Sequence, residues 1–155
     1  MSSGYPISPP TPMVSRRMAR TGPRDTVPEM RLRRLLHGKG LRYRVDYPVL
    51  ARLRRRADIA FPRIRLAVFI DGCFWHGCPI HGTWPKRNGE FWRQKIEANV
   101  RRDRDTDERL AQAGWDVIRL WEHEEPEHAA ALVAARVALL ATGRRETTAD
   151  IDPSE

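Results

Sequence analysis

The two cysteines of the chain lie close together, in a run that also holds two of its five histidines, from Gly72 to His81. Two thiols and one imidazole, from Cys73, Cys78 and His81, offer three ligands within reach of one Zn²⁺ ion. His76 lies between the cysteines and is an alternative third ligand, because the spacing alone does not choose between the two imidazoles. This run therefore predicts a zinc-binding loop.

A fourth zinc ligand must come from outside the loop, where the remaining histidines are His37, His123 and His128. His123 is the best placed, because it directly follows a predicted strand, and strand ends commonly gather with the loop that ends a neighbouring strand. A closed site of two thiolates and two imidazoles is structural, since it leaves no open position for a substrate. The alternative is that both cysteines are small buried apolar residues. In a reducing compartment we favour metal binding over a disulfide.

Two acids predict a second, harder metal ion. Asp58 follows an arginine-rich run at the start of a predicted strand, and Asp71 follows the next strand. Carboxylates at the ends of paired strands can face one cleft and hold Mg²⁺ beside a phosphate. For either acid alone, a surface salt bridge with an arginine is the alternative. If His81 binds zinc, His76 is free for proton transfer, because an unperturbed histidine has a pKa near ~6.5.

Large aromatic residues also need a role. Phe74 and Trp75 lie in the predicted zinc loop, and two apolar faces beside a basic surface are suited to wedging between DNA bases. For Trp92, Trp115 and Trp121 the default expectation is core packing, because tryptophan is largely buried in most folds.

The elements that must position these residues alternate between helix and strand. A capping-box pattern at Thr26 to Glu29 begins a first helix, which Gly38 and Gly40 end. The hydrophobic pattern then predicts strands at 41–45, 58–61 and 66–70, a helix at about 88–113 capped by Gly114, a strand at 115–120 and a helix at 127–142 that ends at Gly143. The order α-β-β-β-α-β-α predicts a three-layer α/β fold with helices flanking a mixed central sheet, because a tight turn joins two middle strands.

Composition limits the class of protein. The chain has 155 residues, enough for one domain, and a net charge of +8 that comes mostly from arginine. Arginine binds phosphate well, so the charge predicts a nucleic-acid partner. No apolar run approaches the ~18 to 20 residues of a membrane span, and the N-terminus lacks the apolar core of a signal peptide, so we expect a cytoplasmic protein and no membrane partner.

Residues 1–24 and 143–155 lack a hydrophobic period, which predicts disordered tails around a folded domain at 25–142. The first tail is basic through Arg16, Arg17, Arg20 and Arg24. It is either a solvated tail or an arm that follows a phosphate backbone.

The motifs also agree with a known family. After the run GCFWHGCPIH come Phe91-Trp92, Arg102-Asp103 and Trp121-Glu122, and a segment from Arg24 to Glu29 precedes it. With these motifs, from about residue 15 to 125, the chain closely resembles the very short patch repair (Vsr) DNA mismatch endonucleases. The resemblance implies a restriction-endonuclease-like fold and Mg²⁺-dependent nicking of duplex DNA on the 5′ side of T in T:G mismatches, which arise when 5-methylcytosine deaminates.

The resemblance implies a role for each candidate residue. Asp58 looks like the Mg²⁺-binding aspartate, His76 like the catalytic histidine, and Glu29 like an acid of the N-terminal helix that approaches the active site. The structural zinc set corresponds to Cys73, Cys78, His81 and His123, and the aromatics that intercalate beside the mismatch correspond to Phe74, Trp75 and Trp92. The arm before Glu29 resembles one that embraces the DNA.

The chain departs from the family pattern at three places, one of which is Ala57, where a proline commonly precedes Asp58. Ile70-Asp71 stands where the best-studied members have a Thr-His pair. The main-chain carbonyl of Ile70 can still bind Mg²⁺, and Asp71 supplies a second carboxylate. His123 replaces a cysteine, which is conservative at zinc. Glu29 has a second explanation, because a capping box accounts for it without catalysis.

The expected mechanism places Mg²⁺ on Asp58, shared with Asp71, while His76 assists in activating water. The expected partner is duplex DNA with a T:G mismatch, bound by a monomer in the bacterial nucleoid, with repair proteins as further candidate partners. Two alternatives remain open. One is a restriction-type or defence-associated nuclease of the same fold, and the other is a non-catalytic zinc-stabilised DNA-binding module.

Overall fold

The computed structural model describes residues 25–73, 78–80 and 86–149, the last five of these as backbone alone. Within these residues, three helices and four strands follow the predicted order α-β-β-β-α-β-α. Their bounds are α1 Val27–Gly38, β1 Arg44–Pro48, β2 Arg56–Phe61, β3 Leu66–Asp71, α2 Gly89–Gln112, β4 Asp116–Trp121 and α3 Pro126–Ala149. A short 3₁₀ turn at Pro62–Ile64 joins β2 to β3, where the sequence predicts a tight turn.

Helix α1 begins as the capping-box pattern predicts. The hydroxyl of Thr26 accepts a hydrogen bond from the N–H of Glu29, and the carboxylate of Glu29 accepts one from the N–H of Asp25. These bonds satisfy amide groups that a helix start leaves without partners. The helix ends at Gly38, and Gly40 adopts a positive φ of 79° that turns the chain away. Glycine takes this conformation without the steric penalty of a Cβ.

The sheet is mixed, as predicted, with strand order β1-β2-β3-β4. β1 to β2 and β2 to β3 are antiparallel, whereas β3 and β4 are parallel and pair from Leu66 opposite Asp116 to Asp71 opposite Trp121. Because β3 and β4 are parallel and end in register, the residues that follow them lie at the same edge of the sheet. Helix α2 makes the crossover between them, as parallel strands require.

The sheet lies between two layers of helix. On one face α1 and α3 pack together on Ile59, Val68 and Ile118. On the other face Leu110 of α2 packs against Ala60, Ala67 and Phe69. These three residues alternate with Ile59 and Val68 along β2 and β3, so the two groups lie on opposite faces of the sheet. The predicted three-layer arrangement of a mixed sheet with flanking helices is therefore confirmed.

The first strand lies later in the chain than predicted. We expected a strand at 41–45, but β1 spans Arg44–Pro48. The reason is that the preceding residues bond back to α1: the N–H of Leu41 donates to the carbonyl of Leu36, and the hydroxyl of Tyr43 donates to the carbonyl of Arg33. The alternation of Leu41, Tyr43 and Val45 thus marks a segment that covers α1 before pairing begins.

The last helix is longer than predicted. We expected it to end at Gly143 and a disordered tail to follow, but α3 continues to Ala149. A glycine inside a helix costs only about 1 kcal/mol relative to alanine and does not by itself end a helix. Residues 150–155 lie outside the described part of the chain. Although α3 is rich in alanine and leucine, no helix among the described residues is long and apolar enough to cross a membrane.

Candidate active site and metal centre

Asp58 lies on β2 and is held against β3. Its Oδ2 accepts a hydrogen bond from the N–H of Ile70 at 2.7 Å. Burial is the largest cause that raises the pKa of Asp58, and the nearby carboxylates of Glu29 and Asp71 also raise it. The Ile70 hydrogen bond and Arg33 lower it, and the resulting pKa is about 6. An anionic carboxylate is therefore unfavourable here unless a cation joins it.

Asp71 ends β3 and is 7% exposed. Both of its carboxylate oxygens accept hydrogen bonds from Nη1 of Arg119 on β4, at 3.0 and 3.2 Å. Asp58 and Asp71 are close enough to interact electrostatically, and Asp71 also has an arginine partner.

Glu29 is also paired with an arginine. Its Oε2 lies 3.0 Å from Nη2 of Arg33, one turn further along α1, and Nη1 of Arg33 lies 2.6 Å from Oδ1 of Asp25. The same oxygen of Glu29 accepts the N–H of Asp25. These contacts support the capping explanation of Glu29, although its charge also reaches Asp58.

The three carboxylates therefore differ in their charge compensation. Glu29 is paired with Arg33 and Asp71 with Arg119, whereas no cation among the described residues lies within salt-bridge distance of Asp58. A partly buried carboxylate with two acidic neighbours and no paired cation is suited to bind a divalent metal ion through oxygen. The residues at this position fit Mg²⁺.

A second cluster lies where β3 and β4 end. The ligand atoms of Cys73, Cys78 and His123 all lie within 4.8 Å of one another, and Nδ1 of His123 is 3.1 Å from Sγ of Cys73 and 3.7 Å from Sγ of Cys78. Both cysteines are free thiols. The structure brings His123 to the cysteines as expected from the strand ends, and two sulfurs with one imidazole nitrogen match a zinc donor set. His81, the fourth ligand expected, lies outside the described residues.

Two hydrogen bonds donated by main-chain N–H groups hold the cysteines of this cluster in place. The N–H of Cys78 donates to the carbonyl of Cys73, and the N–H of Cys73 donates to Oε1 of Glu122 at 2.9 Å. Burial is the largest cause that raises the pKa of Cys73, and the neighbouring Cys78 and Glu122 also raise it, so that the resulting pKa is about 11. In the metal-free protein Cys73 is therefore a neutral thiol, and a bound metal ion must displace its proton.

The aromatic candidates have different outcomes. Phe74 and Trp75, together with His76, lie outside the described residues, as do Arg16, Arg17, Arg20 and Arg24. Trp92 is 3% exposed and packs edge-on against Phe91, with ring centroids 5.1 Å apart. This burial agrees with the default expectation of core packing. The intercalating role implied for Trp92 would require its ring to leave this position.

Three residues that the sequence did not single out connect these sites. Arg33 and Arg119 compensate the acids on either side of Asp58. Glu122 links the two clusters, because its N–H donates to the carbonyl of Asp71 while its carboxylate accepts the N–H of Cys73. The available signal was a charged residue inside an apolar strand, since Arg119 interrupts the buried residues Ile118 and Leu120.

Comparison with known proteins gives consistent matches. The family described as DNA mismatch endonuclease Vsr matches residues 12–81. The Type II nicking enzyme V.NaeI of Lentzea aerocolonigenes is 46% identical over 123 residues, which cover 77% of this chain and 73% of that protein. The Type II nicking enzyme V.XorIIP of Xanthomonas oryzae pv. oryzae is 43% identical over 103 residues, covering 65% and 73%. The DNA mismatch endonuclease Vsr of Escherichia coli is 41% identical over 110 residues, covering 70% and 68%.

Proposed function

The chain belongs to the Vsr family of DNA mismatch endonucleases and is a DNA endonuclease, and on that premise we propose that it nicks duplex DNA 5′ of the T in a T:G mismatch. Such mismatches arise by deamination of 5-methylcytosine, and the nick would begin very short patch repair. The proposal draws on a relative that is named a DNA mismatch endonuclease and is 41% identical to this chain.

The observation that carries the catalytic part of the proposal is the uncompensated carboxylate of Asp58. Asp58 and the main-chain carbonyl of Ile70 would hold Mg²⁺, for which they supply oxygen ligands. When bound, the ion polarises the scissile phosphate and stabilises negative charge on the leaving 3′ oxygen. The N–H of Ile70 fixes the position of Asp58 by a hydrogen bond. The carboxylate of Glu29 is paired with Arg33 and is therefore less available as a metal ligand.

His76 supplies the proton transfer in this proposal. Its imidazole accepts a proton from the attacking water as the water oxygen bonds to phosphorus and the bond to the 3′ oxygen breaks. The products are a 3′ hydroxyl and a 5′ phosphate. His76 lies three residues after Cys73, so a metal-bound Cys73 would restrict where this imidazole can lie.

We also propose that Cys73, Cys78, His81 and His123 bind a structural Zn²⁺ ion. The convergence of two sulfurs and one nitrogen supports this set. The four residues together fill a tetrahedral site, so the ion would take no part in the reaction. Its consequence for function is to fix the loop that carries Phe74, Trp75 and His76.

Phe74 and Trp75 are the proposed wedge that opens the mismatch. Unstacking a base step costs a few kcal/mol, and a T:G wobble pair is less stable than a Watson–Crick pair, so opening costs less at the mismatch. Selectivity in this proposal comes from deformability of the DNA. The arginines of residues 1–24 would follow the phosphate backbone on a single bound protein molecule.

A nicking assay with T:G and T:A duplexes, with Mg²⁺ and with EDTA, tests the function. We expect Mg²⁺-dependent nicking of the T:G duplex alone, and at least a 100-fold lower rate for Asp58→Asn, since this change removes the metal-binding charge. The matched control is Asp116→Asn, which neutralises an aspartate on β4 that is paired with Arg136. Full activity of Asp58→Asn would exclude the assignment of Asp58.

A second candidate is supported by the names of two relatives, which are Type II nicking enzymes. The chain would then act beside a restriction system and nick mismatches within its recognition sequence. Nicking rates on T:G duplexes with different flanking sequences distinguish a narrow sequence preference from a broad one. Cleavage of fully paired DNA would favour a restriction-type nuclease over mismatch repair.

A further inference from the structure

Arg119 is an unusual residue for its place in the fold. It lies on β4 between Ile118 and Leu120, and its guanidinium carbon lies 4.5 Å from the centroid of the Phe69 ring. All three guanidinium nitrogens have acceptors. The Arg119 side chain is 21% exposed, and a largely buried charge is costly unless it is paired and hydrogen-bonded.

The compensation comes from two layers of the fold. Nε of Arg119 lies 3.0 and 2.9 Å from the two carboxylate oxygens of Asp107 on α2, and Nη1 bonds to both oxygens of Asp71 on β3. Nη2 reaches the carbonyl of Asp103 at 3.4 Å. One guanidinium therefore ties the end of β3 to helix α2.

The end of β3 is where the two candidate metal sites meet. Asp71 follows Ile70, whose N–H binds Asp58. The carbonyl of Asp71 accepts the N–H of Glu122, whose carboxylate binds the N–H of Cys73. A shift of Asp71 would therefore displace Asp58 on one side and the Cys–His cluster on the other.

We propose that Arg119 is a positioning residue of the active site, which binds the carboxylate of Asp71 so that Asp58, and not Asp71, holds the catalytic metal ion. The inference rests on the proposed function, because it concerns the same Mg²⁺ site. Asp71 is thereby removed from the proposed Mg²⁺ ligands, because its carboxylate binds Arg119 and fixes the end of β3. Arg119 compensates the negative charge of the Asp71 carboxylate, which would otherwise also attract the metal ion.

The first test is Mn²⁺ binding to the full-length protein without DNA, measured by electron paramagnetic resonance. Mn²⁺ prefers the same oxygen ligands as Mg²⁺. Arg119→Met frees a carboxylate beside Asp58, so we expect Mn²⁺ affinity to rise about tenfold. The matched control is Arg136→Met, which breaks the other arginine–aspartate pair of β4, to Asp116, and should leave Mn²⁺ affinity and nicking unchanged.

The double variant Asp71→Asn with Arg119→Met is the decisive arm. It removes the charges of Arg119 and Asp71 together, and Asp107, which also loses its arginine partner, is 37% exposed, so the double variant should fold even where Arg119→Met alone does not. We expect Mn²⁺ affinity within about twofold of the wild type, because neither residue binds the ion. We also expect nicking to be slower by about tenfold, because the strand end has lost its tether to α2.

Arg119→Lys separates positioning from simple stability. A lysine keeps the charge but cannot bridge Asp71 and Asp107 with a planar fork, so we expect Mn²⁺ affinity close to the wild type with a partial loss of nicking. A thermal unfolding measurement on each variant accompanies the binding data. A lower melting temperature with unchanged Mn²⁺ affinity in Arg119→Met would leave Arg119 with a purely structural role and overturn the proposal.

Two outcomes separate this proposal from the proposed function. If the double variant loses Mn²⁺ affinity at least tenfold while Asp58→Asn loses nicking, Asp71 is a metal ligand and only the inference about Arg119 fails. If Asp58→Asn nicks at the wild-type rate, the Mg²⁺ assignment fails whatever Arg119 does.

Discussion

At the scale of single residues, Asp58 is an acid whose charge is costly in the folded protein. Its pKa of about 6 reflects burial first and the charges of Glu29 and Asp71 second. In the folded protein the Asp58 carboxyl has a pKa of about 6 and is mostly protonated below that pH. In the unfolded chain its pKa is about 4, so it loses its proton at a lower pH. The folded state therefore binds more protons in this window, and the metal-free protein loses stability as pH rises through it.

This cost gives a prediction for Asp58→Asn in the absence of Mg²⁺. Removing the charge should raise the free energy of unfolding at pH 7.5 by on the order of 2–3 kcal/mol relative to the wild type. The difference should disappear near pH 4, where the wild-type carboxyl is also neutral. Urea unfolding followed by tryptophan fluorescence measures both values, with Asp116→Asn as a control that gains no stability. A variant that is less stable than the wild type at pH 7.5 would contradict this account.

At the scale of elements, the parallel pair β3 and β4 determines where the chemistry lies. The two strands end in register at Asp71 and Trp121, so the residues after them meet at one edge. Cys73 follows one strand and His123 follows the other, and a metal ion between them would join the two strand ends. The ring of Trp121 stacks on His123 and helps to orient it.

Metal removal tests that connection. We expect a zinc-specific chelator to release about one Zn²⁺ per chain and to lower the melting temperature by on the order of 10 °C, because a bound ion stabilises only the folded state. His123→Ala should lower it in the same way. His128→Ala, at an exposed position on α3, is the matched control and should change neither value. An unchanged zinc content in His123→Ala would rule out this ligand.

Helices α1 and α3 pack together and cover the face of the sheet that carries Ile59, Val68 and Ile118. Leu36 of α1 is fully buried in that layer, whereas Leu139 of α3 is 64% exposed. We expect Leu36→Ala to cost about 2–5 kcal/mol of unfolding free energy, since it leaves a cavity. Leu139→Ala makes the same chemical change at the surface and should cost less than about 0.5 kcal/mol. Chemical denaturation of the pair gives the comparison, and equal losses would contradict the packing described.

At the scale of the whole molecule, charge is unevenly distributed along the chain. Residues 1–24 contain four arginines and no acid, so they supply half of the net charge of +8. The folded part carries many arginines too, but several of these are paired with aspartates, as at Arg55, Arg56 and Arg136. The first 24 residues are therefore a large share of the net positive charge of the chain.

Deleting residues 1–24 decides between an arm and a solvated tail. If all four arginines contact phosphates, the slope of log Kd against log salt concentration should become shallower by about 3 to 4, since each contact contributes about 0.9. Fluorescence anisotropy with a T:G duplex at several salt concentrations measures this slope. An unchanged slope would identify the segment as a solvated tail.

The sequence alone determined those features that depend on neighbouring residues. Hydrophobic periodicity predicted the element order, Thr26 and Glu29 predicted the helix start, and the turn at Pro62-Arg63 predicted a mixed sheet. The position of His123 directly after a predicted strand predicted that it would lie beside Cys73 and Cys78, and the structure brings their ligand atoms together. Local patterns predicted the element boundaries less well. β1 begins later than predicted because Leu41 and Tyr43 bond to α1. The helix α3 continues past Gly143, where the pattern predicted its end.

Only the tertiary structure decided which charges compensate one another. Asp71 and Arg119 are 48 residues apart, and their pairing depends on the register of β3 with β4 and on the position of α2. The sequence also could not show that Glu122 links the two clusters. Such partners come from different elements, so no local spacing encodes them. Their arrangement pairs Glu29 and Asp71 with arginines and, among the described residues, leaves Asp58 without a cation at salt-bridge distance.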